Sequence, residues 1–107
     1  MERAEALKHH IRTHYEADLH LVKGDISDPE VRRRYVESAD AIGEGIYGLV
    51  CFTGDPARVK FAEAEDSDLQ DSMEANYIAP LLLAREAAAA MKRRQISGSI
   101  VLISTMQ

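Results

Sequence analysis

Gly48-Leu49-Val50-Cys51-Phe52-Thr53-Gly54 is an almost unbroken apolar run closed by a glycine, and Ile100-Val101-Leu102-Ile103 is a second apolar run. Runs this short, apolar without alternation, read as strands buried on both faces of a parallel sheet. Parallel neighbours need a long crossover between them, usually a helix. The intervening chain has one. Ser67 and Gln70 make a capping-box pattern, and Met73, Tyr77, Leu81, Ala84, Ala88 and Met91 follow at helical spacing. Acidic residues crowd the start of this helix and Lys92-Arg93-Arg94 its end, as the helix dipole favours, and Ser97-Gly98 breaks it.

The first half of the chain repeats the alternation. Ala4, Leu7, Ile11 and Tyr15 predict a helix from Glu2 to Tyr15. Leu19, Leu21 and Val22 form a short apolar strand that ends at Gly24-Asp25. Ser27-Asp28-Pro29-Glu30 is a helix start, with Ser27 as cap, Glu30 three residues on and Pro29 in the first turn. That helix turns Val31, Tyr35, Val36, Ala39 and Ile42 inward and stops at Gly43 and Gly45. Asp55 to Asp66 reads as a loop. The order is α-β-α-β-α-β with parallel connections: an α/β fold in one unit spanning 1–107.

Composition narrows the function classes. A net charge of −5 argues against a nucleic-acid partner. The longest apolar run, Ile78 to Ala84, contains Pro80 and falls short of the roughly 20 residues of a membrane span. The opening MERAEALKHH is charged and helical, unlike a signal peptide. Cys51 is the single cysteine, so an internal disulfide and a cysteine zinc site are excluded, and a cytoplasmic protein is expected.

Several local patterns fail on context. Gly43-Glu44-Gly45-Ile46-Tyr47-Gly48 matches the dinucleotide fingerprint, but a helix precedes it and a strand follows, the reverse of what phosphate binding at a helix N-terminus requires. Thr53-Gly54 opens a phosphate-loop pattern that calls for glycine where Arg58 and Lys60 stand. His10 and His14 are one turn apart, close enough to share a metal, but read as a solvated helix face with His9. Arg32-Arg33-Arg34 reads as an exposed helix face, and Cys51 as packing inside its strand.

Three features stand in an informative order: Val22-Lys23-Gly24-Asp25-Ile26-Ser27; the run closing at Thr53-Gly54; and Asn76-Tyr77-Ile78-Ala79-Pro80 followed by Gly98-Ser99-Ile100-Val101-Leu102-Ile103-Ser104-Thr105. Together they resemble the middle of a short-chain dehydrogenase/reductase, a family that uses NAD or NADP on a Rossmann sheet. The resemblance covers essentially the whole chain and implies a partial Rossmann-like three-layer fold, strands three to five of the family sheet, so that 1–107 is an incomplete NAD(P)-binding domain. It puts Asp25, with Ile26 beside it, near the adenine ring, and Gly54 on the cofactor side. The family's usual Asn-Asn-Ala-Gly at that strand end is here Cys51-Phe52-Thr53-Gly54.

The same resemblance makes Asn76 the active-site asparagine and Thr105, or Ser104 before it, the hydroxyl that orients the substrate. Pro80 lacks an N–H, so the Asn76 carbonyl loses its usual helix donor. In the family that carbonyl holds a water linking the catalytic lysine to solvent. The implied partners are the nicotinamide cofactor and a small carbonyl or alcohol substrate, with a homo-oligomer formed partly through the long helix Leu69 to Arg94.

Two family motifs do not occur. Four residues after Tyr15, Tyr35, Tyr47 and Tyr77 stand Leu19, Ala39, Cys51 and Leu81, so there is no Tyr-x-x-x-Lys pair. The glycine-rich first turn is missing as well. In the strand order 3-2-1-4-5 the first strand here would stand apart by two empty places, roughly 14 Å of sheet at ~4.8 Å per step. The expectation is a segment of an NAD(P)-dependent oxidoreductase; the alternative is a truncated, catalytically inactive α/β binding or structural module.

Overall fold

A computed structural model describes residues 2–52 and 61–103. Helix α1 spans Glu2–Tyr15, α2 Pro29–Ile42, strand β1 Gly48–Cys51, α3 Asp66–Met73, α4 Ala79–Arg93 and strand β2 Ser99–Leu102. A 3-10 turn at Phe61–Glu63 precedes α3, and a π-helical turn, Glu74–Ile78, joins α3 to α4 without a break. No described helix is long and apolar enough to cross a membrane.

β1 and β2 pair in parallel, with Gly48 opposite Ser99 and Cys51 opposite Leu102, so the expected crossover is present. The core lies on one face of this pair. Leu49 and Cys51 from β1 meet Leu83, Ala84, Ala87, Ala90 and Met91 from α4 and Val36 from α2. The small alanine side chains let α4 lie close to the strand, and Met91 fills the space beside Gly98.

Neither strand is buried on both faces, contrary to expectation. Along β1 burial alternates, with Val50 52% exposed, and every residue of β2 is exposed. Among the described residues the helices pack on one face of β1, while the other face of β1 and the residues of β2, which the unalternating sequence would bury, are exposed. The predicted strand at Leu19–Val22 is also absent; the segment has no regular structure, although Leu21 and Val22 are half-buried. A strand exists through its ladder, and no described neighbour lies beside this segment to supply one.

Helix boundaries follow the sequence closely, but their caps differ. Asp28, not Ser27, caps α2 by accepting from the Glu30 N–H at 2.9 Å, with Pro29 in the first turn. Asp is as good a cap as Ser, and it sits next to the proline. Helix α3 starts one residue before Ser67, on a capping box of Glu65 and Asp68. Tyr35 and Ile42 point outward, while Val31, Val36 and Ala39 face inward.

Helix α1 buries none of its residues. The Cα radius of gyration is 16.1 Å, against about 13 Å for a close-packed chain of this length. The buried core residues lie in α2, α4, β1 and Ile46 just before it, and α1 contributes none.

Candidate functional site

Parallel pairing sets the carboxyl ends of β1 and β2 side by side, and the Ile103 N–H donates to the Cys51 carbonyl at 3.1 Å just past them. In open α/β sheets, ligands bind outside such strand ends. Phe52, the next residue after β1, is 78% exposed there. Gly54, Ser104 and Thr105, expected to leave these two ends, lie outside the described residues, as does Thr53.

The Asp25 turn is built from short-range hydrogen bonds. Gly24 holds φ +151°, and a Cβ there would lie 2.7 Å from a Val31 methyl, so only glycine passes α2 this closely. Asp25 Oδ1 then accepts from the Ser27 N–H at 2.9 Å, and the Asp25 carbonyl accepts from the Asp28 N–H at 3.0 Å. This is an Asx turn, the local bonding that aspartate favours before a helix. Asp25 is exposed and Ile26 half-buried beside it. A carboxylate acceptor next to an aliphatic surface suits an adenine ring, which offers an amine edge and an apolar face. The residues present therefore fit the adenine end of a dinucleotide.

Asn76 occupies the middle of the π turn. Pro80 has no N–H to donate and its ring would press on the carbonyl one turn back. Widening the helix by one residue relieves that clash, and the Ala79 N–H reaches back to the Glu74 carbonyl. The disturbance that Pro80 causes is thus a π bulge, a feature that gathers at functional sites. The Asn76 Nδ2 donates to the Ser72 carbonyl at 2.9 Å and to Ser72 Oγ at 3.2 Å. The bulge also decides which side of the helix faces the core. Ala79, Pro80, Leu83 and Ala87 are buried, while Leu69, Met73, Tyr77 and Leu81 form an exposed stripe, Tyr77 being 61% exposed.

One residue of the arginine triplet departs from the expected exposed face. Arg33 and Arg34 are exposed, and Arg33 pairs with Glu30 and Glu37 on its own helix. Arg32 is only 5% exposed. Its Nε pairs with Glu86 Oε1 on α4 at 3.2 Å, and its Nη1 donates to the Ile26 carbonyl at 2.7 Å and the Ser27 carbonyl at 3.3 Å. Its place four residues before Val36 and seven before Ala39 was the available signal: a charge on the inward side of an amphipathic helix needs a partner.

The other candidates stay as packing or surface. Burial pushes the Cys51 thiol up from its ordinary pKa, which disfavours the reactive thiolate. His10 and His14 are exposed with ring centroids 4.1 Å apart, and His14 Nδ1 lies 3.0 Å from the His10 carbonyl.

A family model described as short chain dehydrogenase matches residues 1–107. No curated protein matches. Among solved structures, L-sorbose reductase from Gluconobacter frateurii, complexed with NADPH and L-sorbose, aligns with a TM-score of 0.83 and 24% identity over 95% of this chain and 38% of its own. Sorbitol-6-phosphate 2-dehydrogenase from Erwinia amylovora aligns with a TM-score of 0.82 and 22% identity, over 97% and 41%. A short-chain dehydrogenase from Streptomyces avermitilis aligns with a TM-score of 0.77 and 26% identity, over 98% and 38%. The chain thus spans about two fifths of the length of the enzymes it matches in structure.

Proposed function

This chain belongs to the short-chain dehydrogenase family, and from that premise we propose that residues 1–107 are the central part of one dinucleotide-binding domain in an NAD- or NADP-dependent oxidoreductase. Its reaction interconverts a small carbonyl compound and the corresponding alcohol. The bound dinucleotide supplies or accepts the hydride. Asp25 and Ile26 hold the adenine end, and Gly54 lets the backbone approach the cofactor. Asn76, in the widened turn, orders the water through which a proton passes to solvent. Thr105, with Ser104 beside it, orients the substrate oxygen by a hydroxyl hydrogen bond.

The observation that carries this reading is the parallel pairing of Cys51 with Leu102. It sets the carboxyl ends of the two strands side by side, and a doubly wound sheet takes its ligand outside such ends. The NADPH and L-sorbose held by the Gluconobacter enzyme are consistent with that class of cofactor and substrate. The exposed stripe Leu69, Met73, Tyr77 and Leu81 supports self-association through the long helix. A single cysteine, free and buried, fits a cytoplasmic location.

The test uses the protein expressed from its complete coding sequence. Reduced nicotinamide should be consumed in the presence of small ketones or keto sugars. That coding sequence should carry a glycine-rich strand-turn upstream of residue 1 and Tyr-x-x-x-Lys within about fifteen residues downstream of residue 107. A complete protein with neither motif and no dinucleotide binding sinks the catalytic reading. Residues 1–107 alone should leave NADH and NADPH fluorescence unchanged, because they contain no pyrophosphate loop.

A further inference from the structure

We propose that Arg32 is a positioning residue for the cofactor site: held by Glu86, it fixes the Ile26–Ser27 backbone so that Asp25 and Ile26 present a set edge to adenine. This rests on the dinucleotide reading above and adds to it a residue from outside the binding turn.

The geometry is that of a clamp with two jaws. One side of the guanidinium meets the Glu86 carboxylate at 3.2 Å, and Nη1 meets the two successive carbonyls of the turn at 2.7 and 3.3 Å. The planar fork of arginine makes these contacts together, which a lysine ammonium on a flexible stem does not reproduce. The turn already closes on itself through the Ser27 and Asp28 amides. Those bonds set its internal shape, but they do not tie it to the rest of the fold. Ile26 packs on the core by its side chain, and Arg32 adds the polar tie that holds the turn's carbonyls, across to α4.

Burial makes the arrangement costly without a purpose. Arg32 is nearly inaccessible, and Glu86 Oε2 is buried with no hydrogen-bond partner among the described residues. Ion pairs in such settings stabilise little compared with well-packed apolar side chains, because both charges lose their hydration. An apolar side chain at this position would pack against α4 as well, but it would leave the Ile26 and Ser27 carbonyls without this donor. What the arginine adds is orientation, and a turn held in its binding geometry loses less freedom when a ligand arrives.

The test uses the protein from its complete coding sequence, with ADP-ribose and nicotinamide mononucleotide as separate probes by calorimetry. Arg32→Met should weaken ADP-ribose binding about tenfold, leave mononucleotide binding within about twofold, and speed exchange of the Ser27 and Asp28 amides. Arg32→Glu combined with Glu86→Arg should recover thermal stability lost in Arg32→Met but not ADP-ribose affinity, since the exchanged charges would restore the pair and not the carbonyl contacts. A purely structural pair would recover both, and that result overturns the proposal. Unchanged ADP-ribose affinity in folded Arg32→Met overturns it alone, with the dinucleotide reading intact. A parent protein that binds neither probe overturns the dinucleotide reading and this proposal together.

Discussion

Arg94 Nε stands 2.9 Å from Asp40 Oδ1, and Arg94 Nη2 donates to the Asp40 carbonyl at 3.1 Å. This pair repeats the Arg32–Glu86 pair with its signs reversed, and both join residues 54 apart in sequence. Helices α2 and α4 are therefore held parallel at two levels about 12 Å apart along their axes. The first pair joins an α2 cation to an α4 anion, and the second an α2 anion to the cation that ends α4. Sliding one helix past the other breaks both.

The two pairs should differ in strength. Arg94 is 41% exposed at its side chain, so Arg94→Met should cost less than about 1 kcal/mol, an effect that shrinks in high salt. Arg32→Met leaves Glu86 half-buried without its partner and should cost about 1–3 kcal/mol with little salt dependence. Urea melts at low and high salt check both.

Gly24 and Gly45 should resist substitution. Gly24 at φ +151° faces Val31, and Gly45 at φ +119° would put a Cβ 2.6 Å from Arg94 Cδ and Ile96 Cδ1. Alanine at either position should cost about 1–3 kcal/mol through strain and overpacking. Gly48, in the strand with only the Ser99 carbonyl at 3.8 Å, should accept alanine with no loss. Thermal melts of the three variants decide it.

Cys51 gives the fold an alkaline limit. Its folded thiol titrates above the ordinary value because burial disfavours the thiolate. The folded state thus keeps the proton longer than the unfolded state does. The associated stability is complete below about pH 8.5, the unfolded value, and is lost as pH rises through the folded one. Stability curves should fall above that pH in the parent and less so in Cys51→Ala. Iodoacetamide should label the native chain slowly and the urea-unfolded chain fast.

Pro80→Ala restores the missing N–H. The π turn should then close to ordinary α-helical spacing, seen as loss of the Ala79–Glu74 hydrogen bond in a structure of the variant. Asn76 would rotate by roughly 100° relative to α4, the angle of one residue in an α-helix. In the complete protein this should lower turnover about tenfold or more while leaving ADP-ribose binding unaffected, a split read from separate kinetic and binding measurements.

Self-association should follow the stripe. Tyr77→Asp or Leu81→Asp adds a charge to an exposed apolar row and should move the sedimentation profile of the complete protein towards monomer without lowering its melting temperature. An unchanged profile would remove the long helix from the interface.

Helix positions were legible because their periodicity is local, although the capping residues were not the expected ones. Glu2–Tyr15 matches its predicted span, and the second helix begins at Pro29, one residue later than a Ser27 cap implies. The strands were legible as apolar runs, but their burial was not. Whether Val50 or Val101 is covered depends on which elements lie above the sheet, and no residue of the run encodes that. For the same reason Leu19–Val22 is a strand by composition and unpaired in the fold. At the candidate site, Asp25 and Asn76 stood out through their motifs. Arg32 did not, since its buried role comes from a residue 54 positions away and its triplet resembles a solvated surface. The π turn lay between these cases: Pro80 announced a disturbance, but its form, a turn widened by one residue, is not written in the local sequence.

The two-stranded sheet has one more consequence. Each strand pairs on one side only among the described residues, and Ser99–Leu102 carries an exposed apolar row along its open edge. Unfilled backbone donors and acceptors beside such a row form a template for any extended chain that passes. Handled alone, residues 1–107 should be a sticky polypeptide that gels or precipitates by cross-molecular strand addition as its concentration rises. Val101→Lys should keep it in solution.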